Sequence, residues 1–488
     1  MLKNKLFVII LYVKEKGKHM RKTKIIGTIG PASNEYNVLK KLVLAGLNVV
    51  RINLSHATIQ DMEKIKKNVN KLRKELGIPL PIMIDTRGPE IRVKTFKNGS
   101  VEIKKGQQFI FTGRDLEGDE NIVSFNVPEI VKCIKAGNKI LAVNGLLAFK
   151  VVKVEGKDVI TKAMNSGVLS NRKSLSIPNV KYSTPYLNEA DEKDMIWAIE
   201  NGVELIAASF VNCKEDVLCL RKFIENHNGK LKIISKIESQ CGVTNLDEII
   251  DVSDGIMVAR GDLGVEVPVE KLPDLQKTII KKAKDKGRVV ITATEMLESM
   301  ITNNRPTRAE VSDVANAVYD GTSAVMLSGE TAAGRFPVEA VRTMAKIAGE
   351  TEKHINYSKR FASTNHNLVN TTDVVSHSAV DASFMQNTKA IVVFTGTGLS
   401  ATMISRFRPD VTIIGATPNE DVYRQLEILW GVTPVLTPVY NTTDEMFQIA
   451  NEIVKKLKIA KPKDIIVITC GTPKQSGGTN LIKIDEVK

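Results

Sequence analysis

Charged and hydroxyl residues stand at the ends of several short apolar runs, and their types suit phosphoryl chemistry. Arg51, Asn53 and Ser55 alternate at the end of one run, which puts them on one face if the run is a strand. Asp85 and Thr86 close a second run and lead into Arg87, Glu90 and Arg92. Lys236 and Glu238 close a third, again two residues apart, and Arg260, Gly261 and Asp262 close a fourth. Thr294 with Glu295, and Ser328 with Glu330, end two more. Charges inside apolar strands are costly unless they are paired, metal-bound or put to use. Glu238 and Asp262 suit a hard divalent cation such as Mg2+ (or Mn2+), which takes one or two carboxylates plus substrate oxygens. A lysine beside such a metal offsets charge on a transferring phosphoryl group or a developing enolate. Asn53, Ser55, Asp85 and Thr86 offer oxygen ligands without extra lysines, as a monovalent cation requires. Arg51 and Arg92 are able to grip phosphate through two parallel hydrogen bonds.

The elements that must carry these residues follow from the pattern of the chain. Eight β-branched runs read as strands: 24–29, 48–54, 81–86, 204–210, 232–238, 255–260, 289–294 and 324–329. Several are nearly all apolar, as parallel strands buried on both faces require. Amphipathic stretches at 37–45 and 273–286 read as crossover helices. Eight βα units predict an α/β fold, a closed (β/α)8 TIM barrel with its active site at the carboxyl ends of the strands. More than a hundred residues separate the third and fourth strands, too many for a structureless loop. Runs at 101–103, 108–112, 139–143, 147–154 and 158–163 alternate like short antiparallel strands, which predicts a small inserted β-barrel lid domain. A polar stretch after Glu350 leads to a C-terminal α/β pattern, with strands near 390–395, 411–416 and 464–469. The expected domains are barrel at 20–88 and 186–355, lid at 89–185 and C-terminal effector or oligomerisation domain at 356–488. Residues 1–19 read as an extension, either disordered or untranslated, with Met20 as the working start.

Composition narrows the function classes. With 488 residues, 43% hydrophobic and 25% charged, the chain has the profile of a soluble globular protein of two or three domains. No apolar run approaches the ~20 residues that span a bilayer. Five scattered cysteines lack metal-ligand spacing and suit a reducing, cytoplasmic setting. The net charge of +14 is spread along the chain, which favours small polyanionic substrates over nucleic acid. The chain carries no Walker loop. Gly396, Gly398 and Ala401 loosely match a dinucleotide fingerprint, but the next strand ends without the ribose-binding acid. The loop's amides and its hydroxyls at Thr395, Thr397 and Ser400 serve better as a phosphate cradle.

The stretches KTKIIGTIGPAS (22–33), NVVRINLSH (48–56), IDTRGPEIR (84–92), IISKIES (233–239) and GIMVARGDLGVEVP (255–268) resemble pyruvate kinase. So do the long run through 305–341 and the terminal GGTNLIKI, and the likeness extends from about Met20 to the C-terminus. The resemblance implies phosphoryl transfer from phosphoenolpyruvate to ADP, giving pyruvate and ATP in the last step of glycolysis. It implies a cytoplasmic homotetramer with no nucleic-acid or membrane partner. By motif, Arg51 and Lys236 would bind the substrate phosphate, with Lys236 also stabilising the transition state and the enolate. Glu238 and Asp262 would ligate Mg2+, with Gly261 beside the substrate carboxylate. Thr294 and Ser328 would support the water that protonates the enolate. Asn53, Ser55, Asp85 and Thr86 resemble a K+ site, and Glu90 sits where potassium-dependent members carry glutamate. Asn53, His56, Arg92 and Lys173 look like nucleotide contacts. Thr395, Thr397, Gly398 and Ser400, with the 477–480 loop, resemble a pocket for a sugar-phosphate or AMP effector.

Some positions depart from the family pattern. Val143-Asn144-Gly145 replaces an Asp-Asp-Gly turn, Ser174 and Asn179 replace hinge glycines, and Glu295 and Cys241 replace other polar residues. The expected consequence is altered lid closure or nucleotide affinity. A catalytically weak or inactive paralogue with a regulatory or binding role is the alternative.

Overall fold

The computed structural model describes residues 21–178, 180, 186–364, 367–472 and 478–488. Eight parallel strands close a barrel: β1 (Lys24–Thr28), β2 (Val49–Asn53), β3 (Ile82–Asp85), β4 (Leu205–Ala208), β5 (Lys232–Ile237), β6 (Gly255–Ala259), β7 (Val289–Ala293) and β8 (Ala324–Leu327). All eight fall where the apolar runs predict them, each within a few residues. The barrel shuts where β1 meets β8, with Lys24 opposite Ala324 and Gly27 opposite Leu327. Strand alternation sorts the side chains. Ile25, Val50, Ile52 and Ile84 pack outward against the surrounding helices, whereas Ile26, Val49, Met83 and Leu205 fill the interior. The interior core continues into the C-terminal domain through Phe361, Ile391, Val393 and Ile404, so the two share one apolar cluster.

The chain leaves the barrel after β3 and returns in β4, yet these strands are neighbours, with Ile84 opposite Ile206. The excursion between them holds the lid. One sheet of six strands carries Gln108–Thr112, Ile122–Ser124, Lys139–Ala142, Leu147–Glu155, Asp158–Ala163 and Leu175–Ser176, and a two-stranded sheet pairs Ser100–Ile103 with Gly167–Ser170. Four phenylalanines, Phe109, Phe111, Phe125 and Phe149, form its core with ring centroids 5.0–5.8 Å apart. Sequence reading passes over Ile122–Ser124, Gly167–Ser170 and Leu175–Ser176, because two to four residues do not establish an alternating pattern.

The C-terminal sheet runs in the order Val432–Leu436, Thr412–Thr417, Ala390–Phe394, Ile465–Cys470, Leu481–Glu486. Its last strand is antiparallel and carries Lys483, Asp485 and Glu486, as an edge strand does. Sequence reading misses this strand and Val432–Leu436, the latter interrupted by Pro434. Among the described residues no helix is long and apolar enough to cross a membrane.

Candidate active site

The carboxyl ends of β2, β3, β4 and β5 meet in a buried chain of charges. Arg51 on β2 reaches sideways to Asp85 on β3, Nε to Oδ2 at 2.7 Å, and donates from Nη1 to the Thr28 hydroxyl at 2.7 Å. Lys236 on β5 donates to the other oxygen of Asp85 at 3.0 Å and pairs with Glu238 at 2.9 Å. Arg51, Asp85, Lys236 and Glu238 are 7, 1, 9 and 2% exposed, so each charge depends on the next. Burial opposes ionisation of Asp85, but Arg51 and Lys236 hold its carboxyl below the usual range. Burial likewise opposes the Lys236 ammonium, and Asp85 and Glu238 reverse the balance and hold it above its ordinary value.

Asp85 is not the lysine-free oxygen ligand expected from sequence. The barrel curves so that β5 reaches across β4 to it, a closeness that spacing along the chain does not reveal. Ser55 also departs from expectation. The strand ends at Asn53, and Ser55 sits exposed in the following turn, its amide donating to Asn53 Oδ1 at 3.1 Å. Asn53 and Asp85 are register partners across β2 and β3, and Thr86 follows directly.

Glu238 accepts the Phe210 amide at 2.7 Å and lines one cleft with Asp262, at the start of the helix Arg260–Glu266. Burial pushes Glu238 up to about 7, against the pull of Lys236 and with the help of Asp262. Asp262 is raised by burial as well. Two neighbouring buried carboxyls that both bind protons more tightly than usual are a pair from which a divalent cation would displace protons. Among the described residues no three His, Cys, Asp or Glu side chains group as metal ligands, so such an ion would complete its shell with substrate oxygens and water.

Gly261 donates its amide to the Thr294 hydroxyl at 2.8 Å, and that hydroxyl donates to the Ala293 carbonyl at 2.6 Å. Thr294 and Glu295 both have left-handed backbones, φ 64° and 51°, a strained choice for a β-branched residue that needs support. Arg260 supplies it by donating to the Thr294 and Glu295 carbonyls at 2.7 and 3.2 Å while paired with Asp313. Ser328 begins the short helix Gly329–Ala332, and its amide and that of Leu297 are both held by the Glu330 carboxylate, at 2.7 and 3.0 Å.

Sequence reading misses Ser209, which binds four groups together. Its hydroxyl accepts from Lys236 at 2.8 Å and donates to the Thr86 carbonyl at 2.7 Å, with Asp85 3.1 Å away. Its amide donates to the Thr86 hydroxyl at 3.0 Å. The signal was available, since Ser209 lies just past β4 in the same place that marks the other site residues. Thr28 closes β1 in the same way.

The lid lies against this mouth. A cleft between them is lined by Glu90, Asn144, Ser176, Phe210, Glu238 and Asp262. Ser176 hydrogen-bonds Glu266 on the barrel side. Arg92 and Ser174 bridge where the chain enters and leaves the lid. Arg92 donates to Glu90 at 2.8 Å and to the Arg172 carbonyl at 2.9 Å; Lys173 and His56 are exposed. Val143 and Asn144 turn with φ 55° and 54° beside Gly145 at 81°. Asn179 lies outside the described residues.

In the C-terminal domain Gly398, at φ 92°, donates its amide to the Thr395 hydroxyl at 2.9 Å, and the Leu399 amide is 3.5 Å from the Thr397 hydroxyl. Thr479 donates to Ser400 at 2.5 Å. The 395–400 loop and the described part of the 477–480 loop are therefore adjacent; Gly477 lies outside the described residues.

Known proteins share this architecture throughout. Residues 20–341 match the family model of the pyruvate kinase barrel domain, and 373–485 match that of the pyruvate kinase alpha/beta domain. The chain is 43% identical to a pyruvate kinase of Clostridium perfringens over 474 residues, 96% of this chain and all of the relative. It is 43% identical to one of Bacillus licheniformis over 469 residues, 95% of this chain and 80% of the relative. The crystal structure of a pyruvate kinase from Cryptosporidium parvum superposes with a TM-score of 0.91 at 35% identity, covering 98% of this chain and 97% of that one. With both family domains matched, full-length relatives and a barrel mouth that assembles the motif residues, the chain belongs to the pyruvate kinase family.

Proposed function

We propose that the chain transfers the phosphoryl group of phosphoenolpyruvate to ADP, forming pyruvate and ATP, at the mouth described above. The observation that carries this reading is the buried chain Arg51–Asp85–Lys236–Glu238 ending at Asp262. It offers two fixed cations for a phosphate and two carboxyls for a divalent ion in one place.

Arg51 and Lys236 bind the substrate phosphate. Lys236, held charged by Asp85 and Glu238, remains beside the bridging oxygen as the P–O bond breaks and an ADP oxygen takes the phosphorus. The enolate left behind keeps its negative charge next to that ammonium. Glu238 and Asp262 would hold Mg2+ (or Mn2+), which when bound neutralises charge on the transferring oxygens. The Gly261 amide turns from the Thr294 hydroxyl to the substrate carboxylate. Thr294 and Ser328 orient the water whose proton reaches the methylene carbon and completes pyruvate.

Asn53, Ser55, Asp85 and Thr86 are the proposed K+ ligands, and Asn53, His56, Arg92 and Lys173 the proposed nucleotide contacts. Thr395, Thr397, Gly398 and Ser400 form the proposed sugar-phosphate or AMP effector site. A cytoplasmic homotetramer, with domains bounded near 89, 185 and 355, completes the reading. Nothing observed favours a non-catalytic role.

A coupled lactate dehydrogenase assay with Mg2+, with and without K+, and with a panel of sugar phosphates tests it. Turnover that needs Mg2+ is expected. No turnover with both cations and saturating substrates would overturn the reading.

A further inference from the structure

A second cluster of cations lies at the opposite end of the molecule from the active site, where the amino side of the barrel meets the C-terminal domain. An open cleft is lined by Lys284, Arg360, Arg406, Arg408, Tyr357 and Trp430 among others. These residues come from three sources. Lys284 is on the barrel helix Leu272–Asp285, and Tyr357 and Arg360 are on the connecting helix Tyr357–Ser363. Arg406, Arg408 and Trp430 belong to the C-terminal domain.

The charges do not balance. Among the described residues Asp285 is the only acid in the lining, and it pairs with Lys281 at 3.0 Å. Arg406 is paired with Asp373 at 3.1 Å. Arg408 has no carboxylate partner among the described residues. It donates to the carbonyls of Ser405 and Gly321 at 2.7 and 3.0 Å and stacks 4.8 Å from the Trp430 ring. Its Nε is buried and without a hydrogen-bond partner among the described residues. Arg360 donates to the Tyr319 carbonyl at 2.8 Å and makes no ion pair among the described residues. The Lys284 ammonium makes neither a hydrogen bond nor an ion pair among the described residues. The Tyr357 hydroxyl, on a side chain only 6% exposed, is likewise buried without a partner among the described residues. Cation–π contacts with Trp430 account for part of the stability of Arg408, but they satisfy no N–H or O–H donor. Burial pushes Arg408 down to about 9 and lowers Lys284, and the Arg408 charge lowers Lys284 further against the opposing pull of Asp285. Lys284, Arg360 and Arg408 thus share a wall whose described acid, Asp285, is already engaged by Lys281, and an anion would complete the set.

We propose that this cleft binds a small phosphorylated anion, its phosphoryl group held by Lys284, Arg360 and Arg408 with the Tyr357 hydroxyl as a further donor. Guanidinium and ammonium donors converging from three directions suit a tetrahedral dianion. The site is separate from the 395–400 loop, which sits at the beginning of the helix Leu399–Arg406 and not at its end. Because its cations come from the barrel, the connection and the C-terminal domain, the bound anion ties the two domains together.

The test is binding of radiolabelled inorganic phosphate and of a hexose monophosphate to the full chain by equilibrium dialysis, at constant ionic strength in chloride. Arg360→Gln and Lys284→Gln are each expected to lose one equivalent of bound phosphate, or to bind it at least tenfold more weakly. The thermal midpoint, raised by phosphate in the unmodified chain, should respond less in both. The doubly substituted Lys74→Gln/Lys135→Gln chain, which lowers charge elsewhere, and the Thr397→Ala/Ser400→Ala chain should keep that equivalent. Hexose phosphate competing for it identifies a phosphomonoester site; failure to compete identifies a site for free phosphate. Unchanged binding in Arg360→Gln, equal loss in the Lys74/Lys135 control, or loss confined to the Thr397/Ser400 chain would overturn the proposal. Arg360 is exposed, so its variant carries the test even if Lys284→Gln folds poorly.

Discussion

Lys236 and Asp85 sit on strands two positions apart in the barrel, yet their charged ends meet at 3.0 Å with β4 passing between. Asp85 is thus the shared counter-ion of both phosphate-gripping cations. Substituting Asp85→Asn keeps the shape and removes the charge, leaving Arg51 and Lys236 buried and facing each other. The expected cost is about 3–5 kcal/mol of stability, with a marked fall in kcat. Thermal unfolding and steady-state kinetics check it, and an unshifted midpoint would show that the pairing is dispensable.

Ser209 tests whether positioning matters apart from charge. Ser209→Ala removes one hydroxyl and should cost about 1–3 kcal/mol, divided between stability and transition-state binding. The expected signature is a lower kcat with little change in KM for ADP. Ser209→Thr, which restores the hydroxyl, should recover part of the loss. No rescue by Thr would mean the defect is one of packing.

Proton linkage at Glu238 can be read without any turnover. Its carboxyl titrates near 7 in the folded chain and near 4.5 when unfolded. The raised value means that protonated Glu238 favours the fold below about 4.5, and that this contribution is lost as pH rises through 7. A divalent ion must displace the proton. Mg2+ affinity, followed by thermal shift, should therefore rise up to about tenfold per pH unit below 7 and level off above it. A flat profile between pH 6 and 8 would remove Glu238 from the ligand set.

Glu90 predicts monovalent-cation dependence. Activity should fall when K+ is replaced by a bulky organic cation, and Glu90→Lys should lessen that dependence by placing an ammonium where the cation acts. Since Glu90 also holds Arg92, the variant should raise KM for ADP. Equal rates with and without K+ in the unmodified chain would rule the dependence out.

The lid turn is open to a backbone test. Val143 occupies φ 55°, which costs a β-branched residue about 1–2 kcal/mol. Val143→Gly should relieve this and slow amide hydrogen exchange around residues 139–147. Faster exchange in the variant would show that the side chain is worth more than the strain.

The barrel was legible because buried parallel strands announce themselves as apolar runs, and most site residues were legible because they end those runs. What escaped notice depends on closeness in space. Ser209 and Thr28 end strands as the other site residues do, but neither carries a charge, and their roles show only when β4 meets β3 and β5 and when β1 meets β2. The link from Lys236 to Asp85 skips a strand, which no register rule along the chain foretells. Lid strands of two or three residues are fixed by their sheet partners and by the phenylalanine core, not by their own pattern. The charge excess around Arg408 is assembled from three distant segments and shows only as overall basicity in the sequence.

The seam between Lys24 and Ala324 has a bearing on how the protein is made. The first strand must wait for a partner 300 residues downstream. At ribosomal speeds of about 5–20 residues per second, that wait lasts ~15–60 s. In the later part of it the nascent chain exposes two open sheet edges, while the phenylalanine-centred insert, whose last strand ends at Ser176, is complete and free to fold. Until β8 arrives those edges are open to pairing with other chains, so the finished seam is also what ends that exposure.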